Sequence, residues 1–306
     1  MRIIVLGGSG FIGANLIKLI GDFHDVLNFS RSNNLDLIDL DNSSKVFADF
    51  RPDAIVNVAC HGGSVHYVTE FAADVISDNI AIALNLYKCI YGLPNKPKII
   101  NAIANCTYPG NTDIQKESDW LSGPVHDSVL PYAASKRLLY FLSKCYFEQY
   151  GVNSINLIFP NSFGPYDHLD PNKTHAINGI ILRMMKAKKS GDKSFEIWGT
   201  GAPIREWIYV EDFCKILLSA CYFNNIIEPV NIAQNKGYSI IQTVEIIKKL
   251  SGFKGDITFN YNYKDGDPIK ILDDLKFKEL FGDYDFIDHE EALSKTIKYY
   301  DSISLP

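Results

Sequence analysis

The stretch Ile3-Ile4-Val5-Leu6-Gly7-Gly8-Ser9-Gly10-Phe11-Ile12-Gly13 decides the fold. Four apolar residues in a row, with no polar alternation, read as a short strand buried on both faces. From Phe11 the spacing changes. Ile12, Leu16, Leu19 and Ile20 share one stripe of a helix over Phe11 to Ile20. Between strand and helix, Gly7, Gly10 and Gly13 form G-x-x-G-x-x-G. Glycine lets the chain turn tightly and come close to a pyrophosphate, and the helix start offers free N–H groups and a positive dipole end. A glycine triplet alone also fits a plain structural turn. The strand–turn–helix setting is what selects nucleotide binding, with Phe11 and Ile12 at the helix start.

The same rhythm continues downstream. Strands are expected at Val26–Phe29, Ala54–Ala59, Lys98–Ile103 and Ser154–Phe159, with helices at Asn79–Tyr91 and Pro131–Tyr150. Alternating strands and helices imply an α/β, Rossmann-type doubly wound parallel sheet covered on both faces. After Pro160 the rhythm loosens. Loops are expected at Asn161–Thr174 and Asn262–Asp267. Helices are expected at Ala176–Lys189, Glu211–Tyr222 and Ile240–Leu250, and strands at Glu196–Trp198, Glu206–Val210, Val230–Ala233 and Ile257–Tyr261. Residues 1–165 therefore read as a dinucleotide-binding domain to which some later segments return. Residues 166–306 read mainly as a smaller carboxyl-terminal α/β substrate domain.

Composition excludes several classes. The 306 residues are 46% hydrophobic and 22% charged, as expected of a soluble globular chain. A net charge of −6 and no basic tract argue against a nucleic-acid partner. The six Cys have no Cys-x-x-Cys pair and no Cys/His ligand spacing, so no metal is expected. The apolar start is too short for a signal or membrane segment. A cytoplasmic protein with reduced thiols and no membrane association is expected.

The end of the second strand distinguishes NAD from NADP. An acid there would bond the ribose hydroxyls of NAD. The chain instead reads Asn28-Phe29-Ser30-Arg31-Ser32, and Arg31 with Ser30 suits a 2′-phosphate. NADP(H) is the expected cofactor, although a solvated loop arginine would look the same. Further on, Tyr132-Ala-Ala-Ser-Lys136 puts Tyr132 and Lys136 on one helical face. Such a pair can move a proton at a carbonyl or alcohol while a nicotinamide moves the hydride. A cationic Lys136 would also lower the pKa of Tyr132. An ordinary amphipathic helix with an aromatic in the core is the plain alternative.

Together these residues resemble the extended short-chain dehydrogenase/reductase family, in its nucleotide-sugar epimerase/reductase branch. The supporting segments run nearly the whole chain in order. They are His61-Gly62-Gly63-Ser64, Asn105-Cys106-Thr107-Tyr108-Pro109, Gly164-Pro165-Tyr166-Asp167-His168 through Thr174-His175, Trp198-Gly199-Thr200-Gly201 through Arg205-Glu206, and Asp265-Gly266-Asp267-Pro268-Ile269-Lys270. The resemblance implies an NADPH-dependent 3,5-epimerase/4-reductase acting on a GDP-linked 4-keto sugar. It makes Cys106 and His175 the acid/base pair for epimerisation. Tyr132 and Lys136 serve C4 reduction, with Lys136 also holding the cofactor ribose. Pro160 becomes a cofactor contact, and Asn161, His175, Arg205 and Lys270 substrate contacts. It also implies a homodimer through the helices at Asn79–Tyr91 and Pro131–Tyr150.

One departure stands out. The family has Ser or Thr two residues before the matching Cys, and this chain has Ala104. Other readings therefore stay open. One is an enzyme performing only the epimerisation or only the C4 reduction, on this sugar or another such as a heptose. Another is a lapsed enzyme that binds NADP as a sensor.

Overall fold

The computed structural model describes residues 1–110, 114–170, 173–224, 226–263 and 265–303. Its first half runs β1 (Arg2–Leu6), α1 (Phe11–Ile20), β2 (Asp25–Phe29), α2 (Leu40–Phe50), β3 (Ala54–Asn57), α3 (Val65–Glu70), α4 (Ala72–Ile90) and β4 (Lys98–Ala104). Then follow β5 (Ile114–Gln115), α5 (Leu130–Tyr150), β6 (Ser154–Phe159), β7 (Asn161–Phe163), α6 (Ala176–Ser190) and β8 (Ser194–Trp198). Next come β9 (Ile204–Arg205), β10 (Trp207–Tyr209), α7 (Val210–Ala220), β11 (Ile226–Asn231), β12 (Tyr238–Ser239) and α8 (Ile240–Ser251). The chain closes with β13 (Asp256–Asn260), β14 (Ile269–Leu272), α9 (Leu275–Phe281) and α10 (His289–Ser302).

The expected doubly wound α/β sheet is present. Six parallel strands lie in the order β11-β6-β4-β3-β1-β2. Ile3 and Val5 of β1 face one apolar cluster, and Ile4 and Leu6 face another, which is why this strand has no polar alternation. Helices α1 and α7 pack together on the first face, and α4 and α5 on the second. Chain order reverses between β1 and β3, so their carboxyl ends open a crevice where ligands of such sheets bind. The centre of the sheet is pinned by a buried asparagine ladder. Asn57 donates to Asn101 at 3.0 Å, and Asn101 donates to Asn156 at 3.1 Å, each across one strand pair.

Past Pro160, β11 returns to the main sheet and the other strands form smaller sheets, β10-β7, β13-β8 and β12-β9-β14-β5, the last joined by the earlier β5. Several expectations change here. The first loop contains β7, paired with β10, and its residues 171–172 lie outside the described residues, as does 264 of the second loop. The strand expected over Glu206–Val210 shortens to β10, with Glu206 between β9 and β10 and Val210 opening α7. Strand β3 stops at Asn57 rather than Ala59, and the helix expected from Asn79 starts at Ala72. Among the described residues no helix is long and apolar enough to cross a membrane.

Glu206, between β9 and β10, ties β14 to the segment after β11. Its carboxylate is fully buried and accepts from the backbone N–H groups of Leu272 at 2.7 Å and Gln234 at 2.5 Å. Burial pushes the carboxyl up to about 8, against the pull of those donors. A folded-state value above the ordinary 4.5 means that the folded chain keeps a proton the unfolded chain has lost. This stabilisation is fully present below about 4.5 and disappears as pH rises through about 8. Glu206→Gln should flatten the fall of stability across that window, a fall on the order of 5 kcal/mol. Urea unfolding of both proteins from pH 5 to pH 9 measures it; parallel curves would contradict it.

Candidate active site

The glycine turn packs closely against its surroundings. Gly7 has φ +80°, and a Cβ there would lie 2.8 Å from the Ala59 Cα. A Cβ on Gly13 would lie 2.2 Å from the Gly7 carbonyl oxygen, so a side chain would push α1 off the end of β1. No side chain caps α1, whose N-cap is Gly10. The first-turn N–H groups at Phe11 and Ile12 therefore remain for a ligand. At the end of β2, the Ser30 hydroxyl lies 2.7 Å from Ser9 and 3.0 Å from Ser32, and Ser9 and Ser32 are 2.5 Å apart. Arg31 is exposed beside this hydroxyl cluster. An uncapped helix, a side-chain-free cradle and a polar, acid-free strand end fit a dinucleotide bearing a 2′-phosphate.

Helix α5 presents Tyr132 and Lys136 one turn apart, as the spacing predicts. The Lys136 ammonium is buried 5.7 Å from the centre of the Tyr132 ring, and donates to the Ala59 carbonyl at a long 3.5 Å. The electrostatics differ from expectation. Burial, with Cys60 and Cys106 adding to it, drives the Tyr132 phenol well above its usual range. Burial also lowers Lys136, against Cys60 and Cys106. The desolvation of a phenolate outweighs the attraction of a cation that is itself desolvated. The Tyr132 phenol thus keeps its proton more firmly than an exposed tyrosine would.

Cys106 sits just after β4, in the short turn Asn105–Thr107. Burial pushes its thiol up to about 11, while Lys270 and Lys136 pull it down. Tyr132, Lys136, Cys106 and Lys270 therefore form one electrostatic cluster. Cys60 lies beside it and pushes the Tyr132 phenol further up. Its sulfur and the Tyr132 ring both lie 3.6 Å from where a Gly62 Cβ would stand. Ala104 brings no hydroxyl, and the nearby Thr107 hydroxyl is already engaged. The Thr107 hydroxyl donates to the Ala104 carbonyl and accepts from the Trp120 indole, each at 2.7 Å. Asn105 is buried, and its amide nitrogen has no partner.

Arg205 and Lys270 are register neighbours on β9 and β14. Lys270 is ion-paired with Asp267 at 2.9 Å, and Arg205 donates to the Asp267 carbonyl at 2.7 Å. The Asp265 carboxylate accepts from the Thr200 backbone at 2.9 Å and its hydroxyl at 2.5 Å, tying the Trp198–Gly201 turn to the same segment. Asn161 opens β7, directly after the buried Pro160. His175 is placed by other contacts: its ring lies 5.0 Å from that of Phe11, and Nδ1 is 3.0 Å from Asp167.

The sequence assigned no role to four neighbouring side chains. Cys60 falls in no motif, and Asp167 lies in the Gly164–His168 segment without a role of its own. Arg183 lies in the expected helix Ala176–Lys189, yet its guanidinium stands 5.5 Å from the Trp198 ring. Tyr263 stacks on the other partner of that pair, 4.5 Å from Trp198 at 13°. Among the described residues no group of His, Cys, Asp and Glu could hold a metal ion.

Known proteins share this architecture. A GDP-L-fucose synthase from Dictyostelium discoideum is 26% identical, covering 97% of this chain and 94% of the relative. One from Sinorhizobium fredii is 29% identical, covering 89% of this chain and 86% of the relative. The crystal structure of a GDP-L-fucose synthetase from Naegleria fowleri bound to NADP superposes with a TM-score of 0.87. It is 26% identical and covers 98% of this chain and 94% of its own. Residues 3–233 match the NAD dependent epimerase/dehydratase family. With the glycine turn, the Tyr132/Lys136 pair and the six-stranded sheet in place, the chain belongs to that family.

Proposed function

We propose that this chain is an NADPH-dependent 3,5-epimerase/4-reductase acting on a GDP-linked 4-keto sugar. The observation that carries the reading is the single cluster of Tyr132, Lys136, Cys106 and Lys270, in which a proton donor for a carbonyl oxygen stands beside a second acid/base group. Gly7, Gly10, Phe11, Ile12 and Gly13 would hold the pyrophosphate, and Ser30 and Arg31 the 2′-phosphate. Pro160 would line the nicotinamide end, and Lys136 would bond the ribose. The bound nicotinamide supplies the hydride. Tyr132, neutral by burial, gives its proton to the C4 oxygen as that oxygen gains charge. The Lys136 ammonium then stabilises the phenolate left behind.

Hydrogens at C3 and C5 are acidic because the carbanion delocalises into the C4 ketone. Cys106 and His175 take and return those protons on opposite faces. Cys106, a thiol at neutral pH, enters as the donor. Arg205 and Lys270 neutralise the diphosphate, Asn161 contacts the sugar, and the Trp198 and Arg183 planes suit a nucleobase. Residues 1–165 would carry mainly the cofactor and 166–306 mainly the sugar nucleotide. A homodimer through α4 and α5 would cover the exposed Tyr91, Phe141 and Tyr150. Ala104 favours a second reading, epimerisation with little reduction, because one hydrogen bond to the C4 oxygen is missing.

In heavy water with GDP-4-keto-6-deoxymannose and NADPH, the product should carry deuterium at C3 and C5. Cys106→Ser and His175→Asn should each abolish that deuterium and still bind NADPH. Tyr132→Phe should slow NADPH oxidation by about 100-fold or more and leave exchange intact. Exchange persisting in both Cys106→Ser and His175→Asn would sink the acid/base assignment.

Ala104→Ser should speed NADPH oxidation by roughly ten- to a hundredfold without changing exchange. Stopped-flow absorbance of NADPH decides it. An unchanged rate would mean that no hydroxyl is needed at this position.

A further inference from the structure

We infer that Asp167 is a positioning residue that fixes His175 as the Nδ1–H tautomer, making Nε2 the atom that exchanges protons with the sugar. The inference rests on the acid/base reading of His175 and deepens it. Asp167 lies on the turn after β7, eight residues before His175, and its side chain is fully buried while that of His175 is 46% exposed.

Four donors surround the carboxylate. Oδ1 accepts from the His168 backbone N–H at 2.8 Å and faces His175 Nδ1 at 3.0 Å. Oδ2 accepts from the His175 backbone N–H at 2.9 Å and from the Asn178 amide at 2.7 Å. The other end of Asn178 accepts from the Gly164 N–H at 3.1 Å, so the network is anchored to backbone on both sides. Burial alone would raise the carboxyl, but the bonds from His175 and Asn178 hold it below its ordinary range. Tyr300, on α10, is the titratable neighbour facing Asp167. Burial and the Asp167 charge push its phenol upward, so it stays neutral.

An ionised carboxylate can only accept. Nδ1 must therefore carry a proton, and the lone pair of the neutral ring lies on Nε2. The ring cannot turn away freely, because Phe11 packs against it. The transfer balances simply. A sugar C–H bond breaks, an N–H bond forms at Nε2, and the freed electron pair delocalises onto the C4 oxygen as an enolate. The positive charge gained by the imidazole is then opposed by Asp167. For inversion, the Cys106 S–H bond then breaks and a C–H bond forms on the opposite face as the enolate electrons return, leaving a thiolate and an imidazolium that reset by proton exchange with solvent. Phe11 also starts α1, so the same packing holds His175 beside the cofactor turn.

Asp167→Asn tests this. The imidazole Nδ1 is the one partner of Oδ1 that can become an acceptor by moving a proton, so an amide N–H₂ placed there favours the Nε2–H tautomer. In protein with ¹⁵N-labelled histidine, NMR of the wild type should show His175 protonated on Nδ1, and the variant should shift toward Nε2–H. Deuterium incorporation at C3 and C5 should fall on the order of 10³-fold in kcat, with KM for the GDP-sugar changed less than about threefold. NADPH binding should be unaffected.

A wild-type His175 protonated on Nε2 would overturn the inference, even if the variant failed to fold. Wild-type exchange by Asp167→Asn, alongside an inactive His175→Asn, would overturn it and leave the acid/base reading standing. Normal exchange by His175→Asn would remove the acid/base reading itself, and the inference with it.

Discussion

The close approach of α1 to the end of β1 is the constraint on which the site depends. It exists because Gly7 turns with positive φ and because position 13 has no Cβ to meet the Gly7 carbonyl. The helix then serves as the docking surface for the segment after Pro160. Asn15 donates to the Pro165 carbonyl at 2.8 Å, Lys18 donates to the Tyr166 hydroxyl at 2.9 Å, and Phe11 packs on His175. One helix thus follows the cofactor turn and also packs against the imidazole proposed for epimerisation. A side chain at Gly13 would disturb both functions through the same displacement.

Burial determines the protonation states around this helix. Tyr132 and Cys106 are both held protonated by desolvation, and Lys136 and Lys270 oppose that at Cys106 without reversing it. Asp167 is buried too, yet four donors keep it ionised. Two acids that hold their protons and one imidazole with a fixed lone pair suit chemistry that protonates a C4 oxygen and inverts its neighbours. They are less suited to sugar oxidation, for which Tyr132 would have to start as a base.

The parts legible in the sequence were those whose signal is local. Helix α1 ends where Ile20 meets Gly21, and β6 is bounded by Gly151-Val152-Asn153 and Pro160 around a mostly apolar run, so both were read to the residue. Helix α2 was missed because its sequence is mostly polar and only Ser43 and Phe47 are buried. Strand β7 was read as loop because its pairing with β10 lies more than forty residues away. At the site, the Tyr132/Lys136 spacing was visible but the depth of their burial was not, so the direction of the Tyr132 shift was misjudged. Cys60 reaches Tyr132 only through the packing of the turn after β3 against α5. The Asp167–His175 bond depends on a loop conformation that no periodicity encodes.

Whether proton and hydride chemistry share one site on one sugar nucleotide is settled by a single turnover of GDP-4-keto-6-deoxymannose with NADPH carrying deuterium at the transferring C4 position, in ordinary water, followed by NMR of the product. A shared site gives deuterium at sugar C4 and inverted configuration at C3 and C5. Inversion with no deuterium at C4 would contradict the shared site and leave an epimerase. Deuterium at C4 with C3 and C5 unchanged would leave a reductase.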